Sequence, residues 1–238
     1  MTDAAAQTRL DRFYLPGLFV LTLSTGAMDA VSFLALDRVF TGNMTGNVLF
    51  IGFGLVGVGG IPVLNNLIAL LGFVAGALVC ARLIRGHSHG SRLPTVNLLV
   101  LTISAGLAAG VAIGWAMLGD LPVPTLLVVT AILAAVMGAQ AAGVRAAGIK
   151  DVTTIVVTST LANLAIDSRL AGGSGDKWRR RLVAVLAMGL GGALGALIVR
   201  FGGGAPAMLF GALVMLVGVA LLAAARRRES VHLAAGPA

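Results

Sequence analysis

Thr41-Gly42-Asn43-Met44-Thr45-Gly46-Asn47, with the apolar run that follows to Val58, decides how this chain is folded. Thr, Gly and Asn each recur at a spacing of four. Residues at i and i+4 are neighbours on a helix. Each pair would then share a face, and Gly42 with Gly46 would admit another backbone. The Asn amides and Thr hydroxyls would supply donors and acceptors beside it. Read instead as a loop entering a helix, the stretch offers free N–H groups suited to an anion. Length settles its relation to the membrane. Residues 45–58 make a helix of roughly 21 Å, too short for a hydrocarbon core about 30 Å thick. Gly57, Gly59, Gly60 and Pro62 close it, so it reads as a half-membrane or re-entrant helix.

Composition supplies the membrane. Of 238 residues 58% are hydrophobic and 11% charged, and the mean hydropathy is +1.00. Soluble domains carry about 25% charged residues. A chain this poor in charge cannot cover a soluble globule. A net charge of +8 and a pI near 11.4 suit nucleic acid in principle, but the Lys and Arg residues lie in short connections and tails, where they set topology. No nucleic-acid partner is expected. The single Cys80 sits in an apolar run and excludes an intrachain disulfide. The first apolar run, residues 14–36, is longer than the roughly 7–15 residues of a signal-peptide core and is expected to be a span.

Residues 1–13 are expected to form a polar cytoplasmic tail, with Phe13 and Tyr14 as interfacial aromatics. A first repeat, 14–118, holds spans at 14–36, 63–83 and 96–118 and the short helix 45–58. A second repeat, 124–225, holds spans at 124–144, 182–199 and 205–224 and the short helix 153–166. A second cytoplasmic tail, 226–238, ends the chain. Gly26-Ala27-Met28 aligns with Gly138-Ala139-Gln140, and Thr41-Gly42-Asn43-Met44 with Thr158-Ser159-Thr160-Leu161. Three crossings per half make the second half inverted relative to the first. With the N-terminus inside, fifteen of the seventeen Lys and Arg fall on the cytoplasmic side, leaving only Arg38 and Arg200 outside. Were both short segments to cross, Arg85 and Arg92 would lie outside, so six spans are preferred to eight. Gly106, Gly110 and Gly114, four apart, are expected to form a close-packing stripe.

Asp29 lies well inside the first span, where a carboxylate costs roughly 2.5–3.5 kcal/mol to insert. Thr22, Thr25, Asp29 and Ser32 fall within about 80° of one another at helical angles. Such a polar stripe faces protein or a water-filled cavity. It is a structural carboxyl held by its Thr neighbours and the T-G-N amides, or a ligand for a solute, a proton or a cation. The candidate substrate-binding set is Thr25, Asp29, Ser32, Thr41, Gly42, Asn43, Thr45, Gly46, Asn47 and Gln140, with Thr154, Thr158, Ser159 and Asn163 as the second-half counterpart. Residues 41–47 and 153–163 are expected to meet near the midplane. Ala141 stands where the first half has Asp29, so the site carries one carboxylate. His87 and His89 read as part of a solvated basic loop, without further metal ligands nearby. The triple-Arg runs read as topology signals that touch anionic lipid. No H-E-x-x-H, G-x-S-x-G or G-x-x-x-x-G-K occurs. No cofactor, no metal and no enzymatic activity are expected.

Residues 26–34, Gly-Ala-Met-Asp-Ala-Val-Ser-Phe-Leu, with residues 39–47, Val-Phe-Thr-Gly-Asn-Met-Thr-Gly-Asn, closely resemble the YoaK-type family of bacterial integral membrane proteins. Residues 153–164 resemble its second motif, T-T-x-x-T-G-T-L-T-D-L. Here Ser159 replaces the Gly, Ala162 the Thr and Asn163 the Asp. The resemblance covers about residues 14–225 and implies a bacterial inner-membrane protein of six or so spans from a domain family of unknown function.

The reading that results is an all-helical polytopic protein, with six spans and two half-membrane helices in two inverted repeats. It moves a small polar or ionic solute across the inner membrane, as carrier or channel, with Asp29 suited to proton coupling. A scaffold or assembly partner that docks through its Gly-rich helices is the alternative, and those helices also offer a homo-oligomer contact. An intramembrane enzyme, with Asp29 beside Thr41 or Thr45, ranks third.

Overall fold

A computed structural model describes residues 3–86, 93–145, 147–148 and 157–234. All regular structure among them is helical: α1 Asp3–Ala35, α2 Met44–Leu55, α3 Val63–Ile84, α4 Thr95–Leu118, α5 Val123–Arg145, α6 Val157–Ile166, α7 Trp178–Gly202 and α8 Gly204–Ala234. A 3₁₀ turn, Arg169–Ala171, follows α6. Six helices are long and apolar enough to cross a membrane, and α2 and α6 are the two short ones. The breaks come where chain chemistry demands them. Pro62 and Pro94 immediately precede α3 and α4. Gly119 (φ 75°) ends α4, and Gly203 (φ 88°) separates α7 from α8. Asp37 and Arg38 end α1 in the left-handed region (φ 65° and 56°), and the Arg38 N–H reaches back to the Phe33 carbonyl. Residues 41–47 resolve as a loop entering a helix: Asn43 caps α2, accepting the Gly46 N–H at 3.4 Å.

The expected tails are helical over their described residues. α1 begins at Asp3 and α8 continues to Ala234. Tyr14 is fully buried and donates to Glu229 Oε2 at 2.5 Å. The expectation of an interfacial ring there is corrected: a phenol seated among helices with an acceptor in reach is better used inside.

Hydrogen bonds between helix ends place each helix on one of two faces. The Tyr14–Glu229 bond puts the start of α1 beside the end of α8. Arg226 of α8 meets Thr95 at the start of α4. Asn97 near the start of α4 donates to the Gly143 carbonyl near the end of α5 at 2.8 Å. Arg180 in the first turn of α7 pairs with Asp11 of α1 at 3.3 Å. At the opposite face Asn65 of α3 donates to the Leu36 carbonyl just past α1 at 2.7 Å. α3 therefore starts on the face where α1 stops, and α2 does not cross between them. Arg82, Arg85, Arg145, the Arg179-Arg180-Arg181 run and the Arg226-Arg227-Arg228 run share one face, while Arg38 and Arg200 lie on the other.

The helices sort into two bundles that exchange members between the halves of the chain. α1 packs on α7 and α8, and α5 packs on α3 and α4. α2 leans on α3 and α6 on α7. The bundles touch where α4 meets α8 and, more sparingly, where α1 meets α5. Of the most apolar stretch, 61% of α1 and 56% of α5 is buried, against 17% for both α3 and α7, which makes α1 and α5 the two central helices. The crossings repeat in register. A Cβ on Gly26 of α1 would strike the Met188 carbonyl of α7, and one on Gly191 would strike the Leu23 carbonyl. In the other bundle a Cβ on Gly138 of α5 would strike the Phe73 carbonyl of α3, and one on Gly76 would strike the Ala135 carbonyl. Only residues without a side chain allow these backbone approaches. By contrast Gly106, Gly110 and Gly114 have no neighbour within 4 Å of a Cβ position. The expected stripe is not an intrachain packing face, because spacing of four fixes a face but not what the face meets.

Candidate functional site

The polar residues of α1 face inward, onto the loop that leads to α2. Thr25 and Ser32 are fully buried and Asp29 is 6% exposed. The N–H groups of Thr41 and Gly42 donate to Asp29 Oδ1 at 3.1 and 2.7 Å. Hydrogen bonds to a charged acceptor are the stronger kind, so the carboxylate pins the loop across the end of its own helix. Gly42 is needed for this approach. A Cβ there would lie 3.2 Å from Asp29 Oδ1 and from Thr25 Cγ2, and 3.3 Å from Asp29 Oδ2. Ser32 donates to the Asp29 carbonyl at 3.2 Å, and the Thr41 hydroxyl to Ser32 at 3.5 Å. The Thr25 hydroxyl bonds back to Leu21 and accepts from Gln140 Nε2 at 2.9 Å. Gln140, on α5, brings the second half of the chain to the first at this point.

Asn47 forms the other side of the loop. Its side-chain amide accepts the Phe40 N–H at 2.9 Å and donates to the Phe40 carbonyl at 2.6 Å, as a neighbouring strand would. The Phe40 ring stacks on Phe33 and Phe50, with centroids 5.0 and 5.9 Å away, and those two rings lie 6.2 Å from each other, closing a triangle. The Phe40 ring also lies within 3 Å of a Cβ position at Gly46, which explains that glycine. The irregular backbone of residues 36–43 is thus clamped by Asp29, Asn47 and Asn65, and an aromatic stack covers its outer side. Asn65 was missed in the sequence reading. Its signal was present: an Asn pair in the first turn after Pro62, at the head of an apolar helix.

Thr25, Asp29, Ser32, Thr41, Gly42 and Gln140 come together, with Gly46 and Asn47 alongside. The side chains of Asn43 and Thr45 do not join them, both being exposed at the head of α2, but the Asn43 N–H faces the Asp29 carboxylate. In the second half Thr154, like Thr153, lies outside the described residues, as do His87 and His89. Thr158 and Ser159 are exposed and Asn163 is half-buried. α6 packs on α7 and on the 3₁₀ turn, and α2 on α3; the two short helices do not touch. The expected midplane meeting of residues 41–47 with 153–163 is therefore corrected for the described residues. α2 and α6 sit at opposite faces, on different bundles. What meets the first-half centre is Gln140 of the central helix α5. Arg181 is also not a lipid-facing cation. It is 6% exposed, donating to the Asn163 carbonyl at 2.6 Å and pairing with Asp167 at 2.7 Å.

The centre leaves two acceptors open. Asp29 Oδ2 and Gln140 Oε1 are buried and make no hydrogen bond. Position 141, which aligns with Asp29, is different in kind. Ala141 lines an apolar cleft of about 630 Å³ between α3 and α5, with Phe73, Leu78 and Ile84, and Arg145 at its end.

The model of the family described as "protein of unknown function (DUF1275)" matches residues 17–222. The chain belongs to this family. The UPF0700 transmembrane protein YoaK of Bacillus subtilis (strain 168) is 31% identical over 167 residues, which make up 70% of this chain and 69% of that protein. No solved structure matches. The family match spans both halves of the chain and both motif regions. Membership agrees with the multi-pass helical architecture and leaves the chemistry of the Asp29 centre to be read from its own geometry.

Proposed function

We propose that this protein is a transporter or channel for a small polar or ionic solute, with its site at Asp29, the loop of residues 41–47 and Gln140. The observation that carries the reading is Asp29 itself. A carboxylate held inside a span, at the contact of two bundles, with one oxygen fixed and the other open, is costly and has no structural need of its second oxygen. Irregular backbone at membrane depth persists where protein buries it or it lines a cavity. Broken helices between related halves are where secondary transporters hold solutes. The halves are read here as inverted repeats. The paired glycine crossings support this, since Gly26 and Gly138 have the same alignment offset as Leu23 and Ala135. The basic face is read as cytoplasmic, in a bacterial inner membrane, with both termini on that side. The bilayer and the solute are the partners proposed, with no nucleic acid.

Enzymatic activity is not part of the reading, because the Thr41 hydroxyl is directed at Ser32 and not at the Asp29 carboxylate that would have to activate it. The test is uptake by proteoliposomes of purified protein against a panel of small cations, anions and metabolites. Protein-dependent flux that Asp29→Asn removes, in a variant that elutes and melts like wild type, is the expected result. No flux for any solute overturns the reading. A scaffold role is the second reading, favoured by the outward Gly106, Gly110 and Gly114 face, open to a partner helix or a second copy. Co-purification lost on Gly110→Leu with flux absent would select it.

A further inference from the structure

We infer that Asp29 Oδ2 and Gln140 Oε1 seat a small monovalent cation where the two bundles meet. This deepens the transport reading by naming the class of the bound species, and it rests on that reading for the ion's use but not for its seat.

The argument is an account of donors and acceptors around Thr25. The Thr41 and Gly42 N–H groups are spent on Asp29 Oδ1, and the Phe40 N–H on Asn47. The Gly46 N–H serves the Asn43 cap. The hydroxyls of Thr25, Ser32 and Thr41 each have an acceptor within the chain, and Gln140 Nε2 is given to Thr25. The Asn43 N–H also faces the Asp29 carboxylate, so the donors that suggested an anion at residues 40–43 are turned onto the chain's own oxygens. What remains open is a pair of oxygens, on a side chain 6% exposed and on one fully buried. Both side chains meet at Thr25: Gln140 bonds its hydroxyl, and Asp29, one turn further along α1, flanks Gly42 together with the Thr25 methyl. Among the described residues no Lys, Arg or His side chain pairs with Asp29. A buried charge requires a partner. One carboxylate charge and neutral oxygens of hard character suit an alkali ion.

Other buried side chains keep an open oxygen, and they differ. Asn65, Asn66 and Asn97 are neutral amides whose N–H₂ groups already hold a backbone carbonyl, and Thr130 is a neutral hydroxyl. Among the described residues, only at Asp29 does a buried open oxygen carry charge. Its two flanking oxygens also belong to different bundles, α1 in one and α5 in the other. A cation bound there ties the bundles together, and its departure frees one from the other.

The test is thermal unfolding of the detergent-purified full chain in NaCl, LiCl and KCl, against N-methyl-D-glucamine chloride at matched ionic strength. With a dissociation constant of about 10 mM and ~100 mM of the ion, the folded-to-unfolded ratio rises about tenfold, a midpoint rise of about 3–6 °C. A rise for one alkali ion over the organic cation is expected, lost in Asp29→Asn and weakened in Gln140→Leu. If Asp29→Asn does not fold, Gln140→Leu alone carries the comparison. Equal midpoints in all four salts overturn the inference. So does a rise that both variants retain, or one produced by lowering pH with no alkali preference, which would make the occupant a proton. Proteoliposome flux separates the two readings. Ion binding without flux leaves the seat and removes the transport, while flux indifferent to alkali ions does the reverse.

Discussion

The two central helices, α1 and α5, are alike in packing and unlike in chemistry. Each crosses a partner at a glycine that touches backbone, Gly26 on Met188 and Gly138 on Phe73, and each is mostly buried. Beyond the crossing they diverge. α1 carries Asp29 into a closed polar knot with Thr41 and Gly42, whereas α5 carries Ala141 into an apolar cleft. Backbone approach is a condition of the fold and tolerates only Gly at both crossings. A charged centre is not such a condition, so one helix alone carries it, and Gln140 of α5 meets it without a charge.

The comparison is broken most decisively at the carboxylate. Asp29→Asn is expected to remove proteoliposome flux by tenfold or more while the chain still folds, and Ala141→Asn to leave flux within twofold; equal losses in both would erase the distinction drawn here. The duplicated crossings come next. Gly26→Ala and Gly138→Ala are each expected to cost about 2–3 kcal/mol, since a methyl group must displace a backbone carbonyl. Thermal or denaturant unfolding of the two variants checks whether the costs are matched. If one is neutral, the crossings are not equivalent. Asn47→Ala should cost about 1–3 kcal/mol, through the two Phe40 backbone groups it leaves without partners. Asn163→Ala should cost less than about 0.5 kcal/mol, because the carbonyl and not the side chain receives Arg181. Smallest of all, Gly106→Ala should leave the unfolding midpoint of the monomer within error, in contrast to Gly26→Ala on the same instrument.

Much of this architecture was legible in the chain. Six apolar runs, two segments too short to span and the one-sided basic residues yield the helices and their two faces, because length and charge are local properties. The inward stripe of Thr25, Asp29 and Ser32 was legible for the same reason: helical angle alone groups it. What was not legible depends on which helix meets which. The Gly106, Gly110 and Gly114 spacing matches a packing stripe as well as Gly72 and Gly76 do, yet only the latter pair meets backbone. Tyr14 sits at the head of a span like any belt aromatic, and only the return of α8 past Arg228 supplies Glu229. Thr25 and Gln140 are 115 positions apart, and no local pattern joins them. The second motif misled for another reason. Thr158 and Ser159 repeat the first motif's chemistry in sequence, but the helix before α6, α5, carries Ala141 where α1 carries Asp29.

The exchange of helices between bundles also has a consequence for synthesis. α1 is made first, and its principal packing partners, α7 and α8, are made last, roughly 140 residues after α1 ends. At ribosomal rates of about 5–20 residues per second, that interval is roughly 7–30 s. Through it, α1 stands in the bilayer with the faces meant for α7 and α8 uncovered, while α3, α4 and α5 close on one another as they emerge. Thr41 and Gly42 arrive within the first second or two and supply Asp29 with N–H donors long before any distant helix does. The T-G-N loop thus gives the acidic residue its N–H partners locally, from a segment made almost with it, and independently of the order in which the distant helices arrive.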